Sequence, residues 1–541
     1  FGSSFLLQDL ISYPFFAIVV IPPTHMSLEK LKITADVFNG SGEKALVVAE
    51  GGPFLSRPVM RKASVGLARC LVGNGVKPKD VVAFALHNTV EFVVLFVGVA
   101  KAAAIAAPLN PAYKASEFEF YLQDTSAKLL LMPSEGNKEA EAAAAKLQIP
   151  AFAVILDGEK VELAPLGAGQ APAVPSVLQL PKAVPEDVAL FLHTSGTTSK
   201  PKGVPLLHRN LMTTVKNIIG TYELSATDTS YLVMPLFHVH GLMAGLLSAL
   251  AAGGSVVLPK GGKFSAQVFW ADVKEHNATW YTAVPTIHQI LLARAAQSDD
   301  YKGAGLRFIR SCSASLAAPV LEQLEQTFGV PVLEAYAMTE AAHQMTSNPL
   351  PKHGARKPGS VGKGVNVEIA ILAEDGSLLP VGKVGEVCIK GQNVTPGYHN
   401  NEKANVEAFA HGWFHTGDQG MLDSDGYLTL TGRLKELINR GGEKISPLEV
   451  DSALLGHAAV AEAVAFAAPD EKYGEEVNAA VVLKEKATAT ESEILATVKE
   501  RLGDFKVPKR LFISNSLPKT ATGKIQRRFV AEHFLKPASK L

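Results

Sequence analysis

The residues best suited to chemistry fall in a few short segments. Thr194-Ser195-Gly196-Thr197-Thr198-Ser199-Lys200-Pro201-Lys202-Gly203 joins hydroxyl donors, two lysines and two glycines in one decapeptide. Gly196 and Gly203 permit close backbone approach, and Lys200 and Lys202 supply compact positive charge. The segment follows a continuously apolar run, residues 188–192, and precedes a helical pattern over 207–219. That order reads as an anion-binding loop, with loop amides and a helix N-terminus facing a phosphate. It is not a Walker A loop, because the Gly-Lys-Ser/Thr ending is absent. A second cluster, Pro235-Leu236-Phe237-His238-Val239-His240-Gly241, would set both imidazoles on one face of a strand. A metal site is the rival reading there, but no cysteine or carboxylate cluster joins the pair in sequence.

These segments need a scaffold, and the chain's pattern predicts one. Short apolar runs at 188–192, 255–258, 280–284, 306–309 and 332–335 alternate with amphipathic stretches such as 92–103 and 207–219. Such alternation implies layered α/β architecture with mainly parallel sheets. Residues 165–185 are proline-rich and read as a surface connection. From 360 to 430, short glycine-punctuated strands (365–372, 385–390, 427–430) suggest a small antiparallel or barrel-like section. After Gly432 comes a compact α+β unit with strands at 464–467, 477–483 and 511–513 and a helix around 492–502. The expected division is a leader over 1–25, a large domain over 26–432 and a small domain over 433–541.

Composition narrows the class. A chain of 541 residues exceeds the ~100–200 of one compact domain, so more than one core is expected. Apolar residues at 47% and charged residues at 19% exclude disordered, collagenous and coiled-coil chains. Lys+Arg and Asp+Glu both number 52, so no global charge draws the chain to nucleic acid or an anionic membrane. Cys70, Cys312 and Cys388 are too few and scattered for a disulfide framework or a zinc site, which suits a reducing compartment.

The two ends carry separate signals. Residues 15–21 are apolar but fall short of the ~18–20 residues of a membrane span, so no stable insertion is expected. Without a basic n-region or small-residue cleavage site, 1–25 is a poor signal peptide, and the segment is expected to be extraneous or weakly ordered. The terminal Ser539-Lys540-Leu541 is a receptor-read peroxisomal address, so an import receptor is an expected partner, and a cytoplasmic location follows if it is not read. An intracellular route makes the sequons at Asn39, Asn277 and Asn393 coincidental.

Taken in order, five motifs resemble the signatures of the adenylate-forming superfamily, which includes acyl-CoA synthetases. They are the 194–203 loop, Tyr336-Ala337-Met338-Thr339-Glu340, Thr416-Gly417-Asp418, Gly432-Arg433-Leu434-Lys435-Glu436 and Pro518-Lys519-Thr520-Ala521-Thr522-Gly523-Lys524-Ile525. The resemblance spans roughly residues 30–535. It implies that a carboxylate attacks the α-phosphorus of ATP and that the thiol of CoA then displaces AMP. Positioning and charge neutralisation would do most of the catalysis.

By this resemblance Lys524 bridges the carboxylate and the α-phosphate. Thr194, Ser195, Gly196, Thr197, Thr198 and Lys202 would hold the phosphates, and Thr198 with Glu340 would hold Mg²⁺. Ser313, Ala314, Ser315, Glu334, Ala335 and Tyr336 would form the adenine slot, with Tyr336 stacking on the ring and Ala337, Met338 and Thr339 completing the motif. Asp418 and Arg433 would meet the ribose. Lys435 would be the hinge about which the small domain rotates, bringing Arg440, Gly441 and Gly442 to the CoA tunnel.

For the acid, His238, Ser313 and His343 make a small polar site suited to a second carboxylate. With Arg440-Gly441-Gly442-Glu443-Lys444-Ile445-Ser446-Pro447, this looks most like the oxalate–CoA ligases. Ala337 replaces a usual glycine, and Ser313-Ala314-Ser315 stands where many relatives carry Gly/Ala; both bear on pocket shape. The alternatives are a short-chain or aryl (4-coumarate-like) acyl-CoA ligase and a catalytically silent peroxisomal nucleotide-binding protein. A serine hydrolase is disfavoured by the absence of a Gly-x-Ser-x-Gly elbow.

Overall fold

The computed structural model describes residues 18–19, 28–38, 44–49, 51–166, 179–194, 201–520 and 523–535. Two large sheets form the body of the chain. One is ten-stranded, with Phe308–Ser311 between Trp280–Ala283 and Val332–Met338 near its middle. The other is seven-stranded and centres on Ile105–Pro108 and Val81–Phe84. Both are parallel in the middle and mostly antiparallel towards their edges, the outermost pair of Ile18–Val19 with Lys363–Val365 being parallel. Central strands such as Leu129–Met132, Ser255–Leu258 and Trp280–Ala283 are buried at every residue. That is why they read as unbroken apolar runs: parallel strands are covered on both faces.

Helix His208–Tyr222 packs between the sheets, touching Val188–Thr194 and Lys202–Leu207 on one side and His343–Ser347 on the other. Asn210 begins it by accepting from the amide of Leu207 at 2.8 Å, the local satisfaction that a helix start requires. A π-helix, His240–Leu247, is buried along its whole length. Gly241 permits its tight entry, since a Cβ there would lie 2.3 Å from the carbonyl oxygen of Pro235.

The antiparallel section is a four-stranded sheet in the order Glu368–Leu372, Gly385–Lys390, Phe414–Leu422, Leu428–Arg433. The next sheet begins with Ile438–Arg440 and has five strands, with helices Pro447–Leu455 and Glu491–Arg501 packed together beside it. The change from one sheet to the other therefore falls within Leu434 to Leu437.

Two expectations are corrected. The phosphate loop does not lead directly into a helix. It joins Val188–Thr194 to Lys202–Leu207, an antiparallel neighbour, and the helix starts only at His208. The strand-like composition of Lys202–Leu207 wins locally, so the described residues that follow the loop form a strand rather than a helix N-terminus. His238 and His240 are not on a strand either. His238 lies in a bend and His240 opens the π-helix, because Pro235 and Gly241 break extended pairing. Of the leader, only Ile18–Val19 is described, pairing in parallel with Gly364 and Val365. Much of the 165–185 connection lies outside the described residues.

Candidate active site

The site forms at the carboxyl ends of the parallel strands, where ligands bind in open α/β sheets. Strand Phe308–Ser311 runs into Cys312 and Ser313, Trp280–Ala283 into Val284 and Thr286, and Val332–Met338 into Thr339 and Glu340. Ser313 (φ +72), Ala342 (φ +50) and His343 (φ +110) all adopt left-handed backbone without being glycine. Clustered strain of this kind marks functional walls.

His240 is central to a polar cluster that includes the residues expected at the acid. It is fully buried, its Nε2 meets Thr282 Oγ1 at 2.6 Å and its Nδ1 meets Ser313 Oγ at 3.0 Å. The ring of His343 stacks on it with centroids 5.1 Å apart. Ser313 and His343 are thus brought together through His240, and His238 ties in by accepting from the His240 amide at 3.1 Å. His343 is fully buried, and neither of its ring nitrogens has a partner among the described residues.

Burial favours the neutral form of all three imidazoles. Burial, then the charge of Lys524, takes His238 down to about 3. His240 is held well below its ordinary value by burial and then by His343 and Arg310; His343 is held down by burial and then by Arg310. The positive charge near this wall therefore belongs to Lys524 and to Arg310, which is completely buried.

Asp418, expected at the ribose, is buried and both of its oxygens are engaged. Tyr336 donates its hydroxyl to Oδ2 and Arg433 Nε lies 3.1 Å from Oδ1. A carboxylate has further lone pairs, so ribose hydroxyls could still donate to it. Tyr336, expected to stack on a base, has its ring buried in the core and its hydroxyl on this carboxylate. Glu334 accepts from the Gly359 amide at 3.1 Å, and burial pushes its carboxyl up to about 8. Ala335 is buried beside it; Ala337, Met338 and Thr339 are half-buried, and Ala314 and Ser315 are exposed on the turn after Ser313.

Glu340 is buried, with Oε1 accepting from Tyr398 at 2.9 Å. Burial raises its pKa. Lys202 Nζ sits over the Tyr398 ring, 4.4 Å from its centroid. This buried hard oxygen donor fits a divalent cation, whose charge would offset the desolvation of the carboxylate. Ser195, Gly196, Thr197 and Thr198 lie outside the described residues; Thr194 ends its strand.

Lys524 arrives from the small domain. Thr286 Oγ1 donates to the carbonyl of Gly523 at 3.0 Å, and Gln289 Nε2 donates to that of Ala461 at 2.7 Å. The lysine is half-buried. Burial lowers its pKa, and Cys312, Arg433 and Asp418 are its charged or polarisable neighbours. No carboxylate pairs with its Nζ among the described residues. Lys435 lies exposed in the turn between the two sheets. Arg440, Gly441 and Gly442 are not brought to this cluster. They form an exposed hairpin turn, with Arg440 bonded to Glu476 at 2.6 Å and stacked on Tyr473.

Sequence reasoning missed Thr282, Arg310, Gln344 and Tyr398, which lie outside the motif cores. It also assigned His238 rather than His240 to the acid site. Glu386, Cys388 and His415 form the one three-residue group of metal-ligand type among the described residues. It reads as a hydrogen-bonded brace instead. His415 Nδ1 meets Glu386 at 2.8 Å, and Glu386 accepts from the Gly417 amide at 2.9 Å. Burial raises the Cys388 thiol, keeping it protonated. The brace holds the strand segment that presents Asp418.

Residues 39–399 match the AMP-binding enzyme family and 449–524 the AMP-binding enzyme C-terminal domain. The chain is similar to an oxalate–CoA ligase of Arabidopsis thaliana, 58% identical over 86% of this chain and 91% of that protein. It is likewise similar to an oxalate–CoA ligase of Saccharomyces cerevisiae, 47% identical over 85% and 87%. Among solved structures, ATP-bound MatB of Rhodopseudomonas palustris superposes with a TM-score of 0.82 at 29% identity, covering 94% of this chain and 99% of that one.

Proposed function

The chain belongs to the AMP-binding enzyme family, and from that premise we infer that it is an ATP-dependent acid–CoA ligase acting on oxalate. The reaction converts oxalate, ATP and CoA to oxalyl-CoA, AMP and pyrophosphate. A carboxylate oxygen bonds to the α-phosphorus as the bond to pyrophosphate breaks. The thiol sulfur then bonds to the acyl carbon as AMP leaves.

The observation that carries this reading is the placement of Lys524. Thr286 fastens the residue before it to the large domain, and the half-buried ammonium, with no carboxylate partner among the described residues, feels the charges of Arg433 and Asp418. Two anions must meet there, and a pre-placed ammonium offsets their repulsion without reorganisation. The choice of oxalate is supported by the names of the two relatives at 58% and 47% identity. It is also supported by the polar wall of His240, Ser313 and His343, whose half-exposed Ser313 hydroxyl can donate to a second carboxylate where an acyl chain would need apolar surface. Mg²⁺ on Glu340 and Thr198 would neutralise the phosphates and polarise them as a Lewis acid. Glu340 also holds Tyr398, and Asp418 with Arg433 orients the ribose. Rotation about Lys435 would exchange Lys524 for the Arg440-Gly441-Gly442 turn in the thiol step.

Acid-dependent AMP release with ATP, Mg²⁺ and CoA, compared across oxalate, malonate, acetate, octanoate and 4-coumarate, tests the reading. Preference for oxalate, abolished in Lys524→Ala, is the expected result. Preference for a monoacid keeps the chemistry and removes oxalate; no turnover with any acid points to a silent nucleotide-binding protein.

We further propose Ser539-Lys540-Leu541, outside the described residues, as a peroxisomal address read by the import receptor. A fluorescent protein carrying this terminal segment should become punctate with peroxisomes, and a diffuse cytoplasmic signal would count against it. No described helix is long and apolar enough to cross a membrane.

A further inference from the structure

Arg310 is a buried cation with only neutral partners. It lies in the middle of the ten-stranded sheet with no exposed surface. Its Nε donates to the Tyr222 hydroxyl at 2.9 Å, Nη1 to Thr282 Oγ1 at 3.1 Å and Nη2 to Gln344 Oε1 at 3.1 Å. No acidic side chain pairs with it among the described residues. Buried charges are ordinarily paired, so this one invites the question of what it acts upon.

The hydrogen bonds that leave it have a direction. A guanidinium only donates, so Thr282 Oγ1 must accept from Arg310. The other contact of that oxygen is His240 Nε2 at 2.6 Å. If His240 carried its proton on Nε2, the Thr282 hydroxyl proton would be left buried without an acceptor, a costly arrangement. With Thr282 donating to a bare Nε2, the threonine hydroxyl and that ring nitrogen are both satisfied. A neutral His240 then carries its proton on Nδ1 and donates it to Ser313 Oγ at 3.0 Å. Its neutrality fits full burial beside Arg310 and His343. Ser313 Oγ, already accepting, has its own proton free to point away from the protein, and Ser313 is the half-exposed end of the chain of contacts.

We propose that Arg310, Thr282 and His240 are positioning residues that form a one-way hydrogen-bond relay, fixing His240 as its Nδ1–H tautomer and turning the Ser313 hydroxyl into a donor aimed at the anionic acid. The opposite tautomer would turn the lone pairs of Ser313 to the substrate and repel a carboxylate. The inference rests on the acid-ligase reading for its consequence in selectivity, but not for its geometry. His343, stacked on His240, holds the plane of the relaying ring.

The test has two independent arms. In the wild-type full-length chain with ¹⁵N-labelled histidine, His240 should show a protonated Nδ1 and a bare Nε2; a protonated Nε2 overturns the relay whatever acid is used. In the second arm, Thr282→Val keeps the branched shape and removes the hydroxyl, and Thr282→Ser restores it. Valine should raise KM for oxalate about tenfold, the worth of one bond to a charged group, with KM for ATP unchanged. Serine should recover the parent value. Equal changes in both KM values, or none in a folded Thr282→Val protein, would sink the proposal. If the wild type instead prefers a monoacid, the oxalate reading fails; the tautomer and the KM for that acid still decide the relay.

Discussion

Thr286 holds Gly523 by its carbonyl at 3.0 Å, so the residue preceding Lys524 is fastened to the helix that begins at Pro285 in the large domain. Gly523 has φ +80, and a Cβ there would stand 3.2 Å from Thr286 Oγ1. The bond acts as a catch for the state in which Lys524 faces the cleft.

Thr286→Val should therefore slow acid-dependent ATP–pyrophosphate exchange about fivefold, in line with ~1 kcal/mol for one neutral hydrogen bond. Conversion of preformed acyl-adenylate by CoA should keep its rate. Equal losses in the two half-reactions would mean that the bond does not distinguish the two states.

Tyr398 donates to Glu340 at 2.9 Å while its ring carries Lys202 at 4.4 Å. Tyr398→Phe keeps the ring and removes the donor. The Mg²⁺ concentration for half-maximal rate should rise about tenfold or more, since a bond to a charged group contributes about 1.5–3 kcal/mol. A titration of activity against Mg²⁺ checks this, and an unchanged midpoint would detach Tyr398 from the metal.

His343→Ala should raise KM for oxalate at least about tenfold, because the stack that steadies His240 is lost. Turnover of a hydrophobic acid, where measurable, should scarcely change. A uniform loss across acids would make His343 a packing residue alone.

Acid should destabilise the fold through its buried histidines. Burial takes His208 down to about 4, and both His238 and His288 down to about 3. All are neutral in the fold, whereas an unfolded histidine titrates near ~6.5. Their contribution is complete above that value and is lost as pH falls towards 4, by about 1.4 kcal/mol per pH unit for each. Glu334, raised to about 8 by burial, works the other way and costs stability as pH rises from the unfolded carboxyl value. Denaturant unfolding across pH 4–7 should show the decline, and His288→Phe should remove one proton from its slope. A flat profile would contradict these burials.

The strands and helices of the body were legible because parallel strands are written as continuous apolar runs. Trp280–Ala283 and Ser255–Leu258 appear where their composition puts them. Lys202–Leu207 was not legible as a strand, because its pairing with Val188–Thr194 is tertiary. The same holds for the π-helix at His240, whose geometry depends on a close approach of Gly241 to Pro235. Motif residues such as Asp418, Tyr336 and Lys524 were found by type and order. Thr282 was hidden inside an apolar strand run and Arg310 stood just past the end of one, without a local signal of function; their facing register reveals them.

Ser313, Ala342 and His343 keep left-handed backbone without glycine, at a cost of order 1–3 kcal/mol each. A glycine at position 343 would relieve strain and open room for a bulkier acid in one step, with the relief offsetting part of the cavity's cost. Narrow selectivity is then held against a gradient. Laboratory evolution for broader acids should find that position early, and reversing the drift should demand compensating stability elsewhere in the chain.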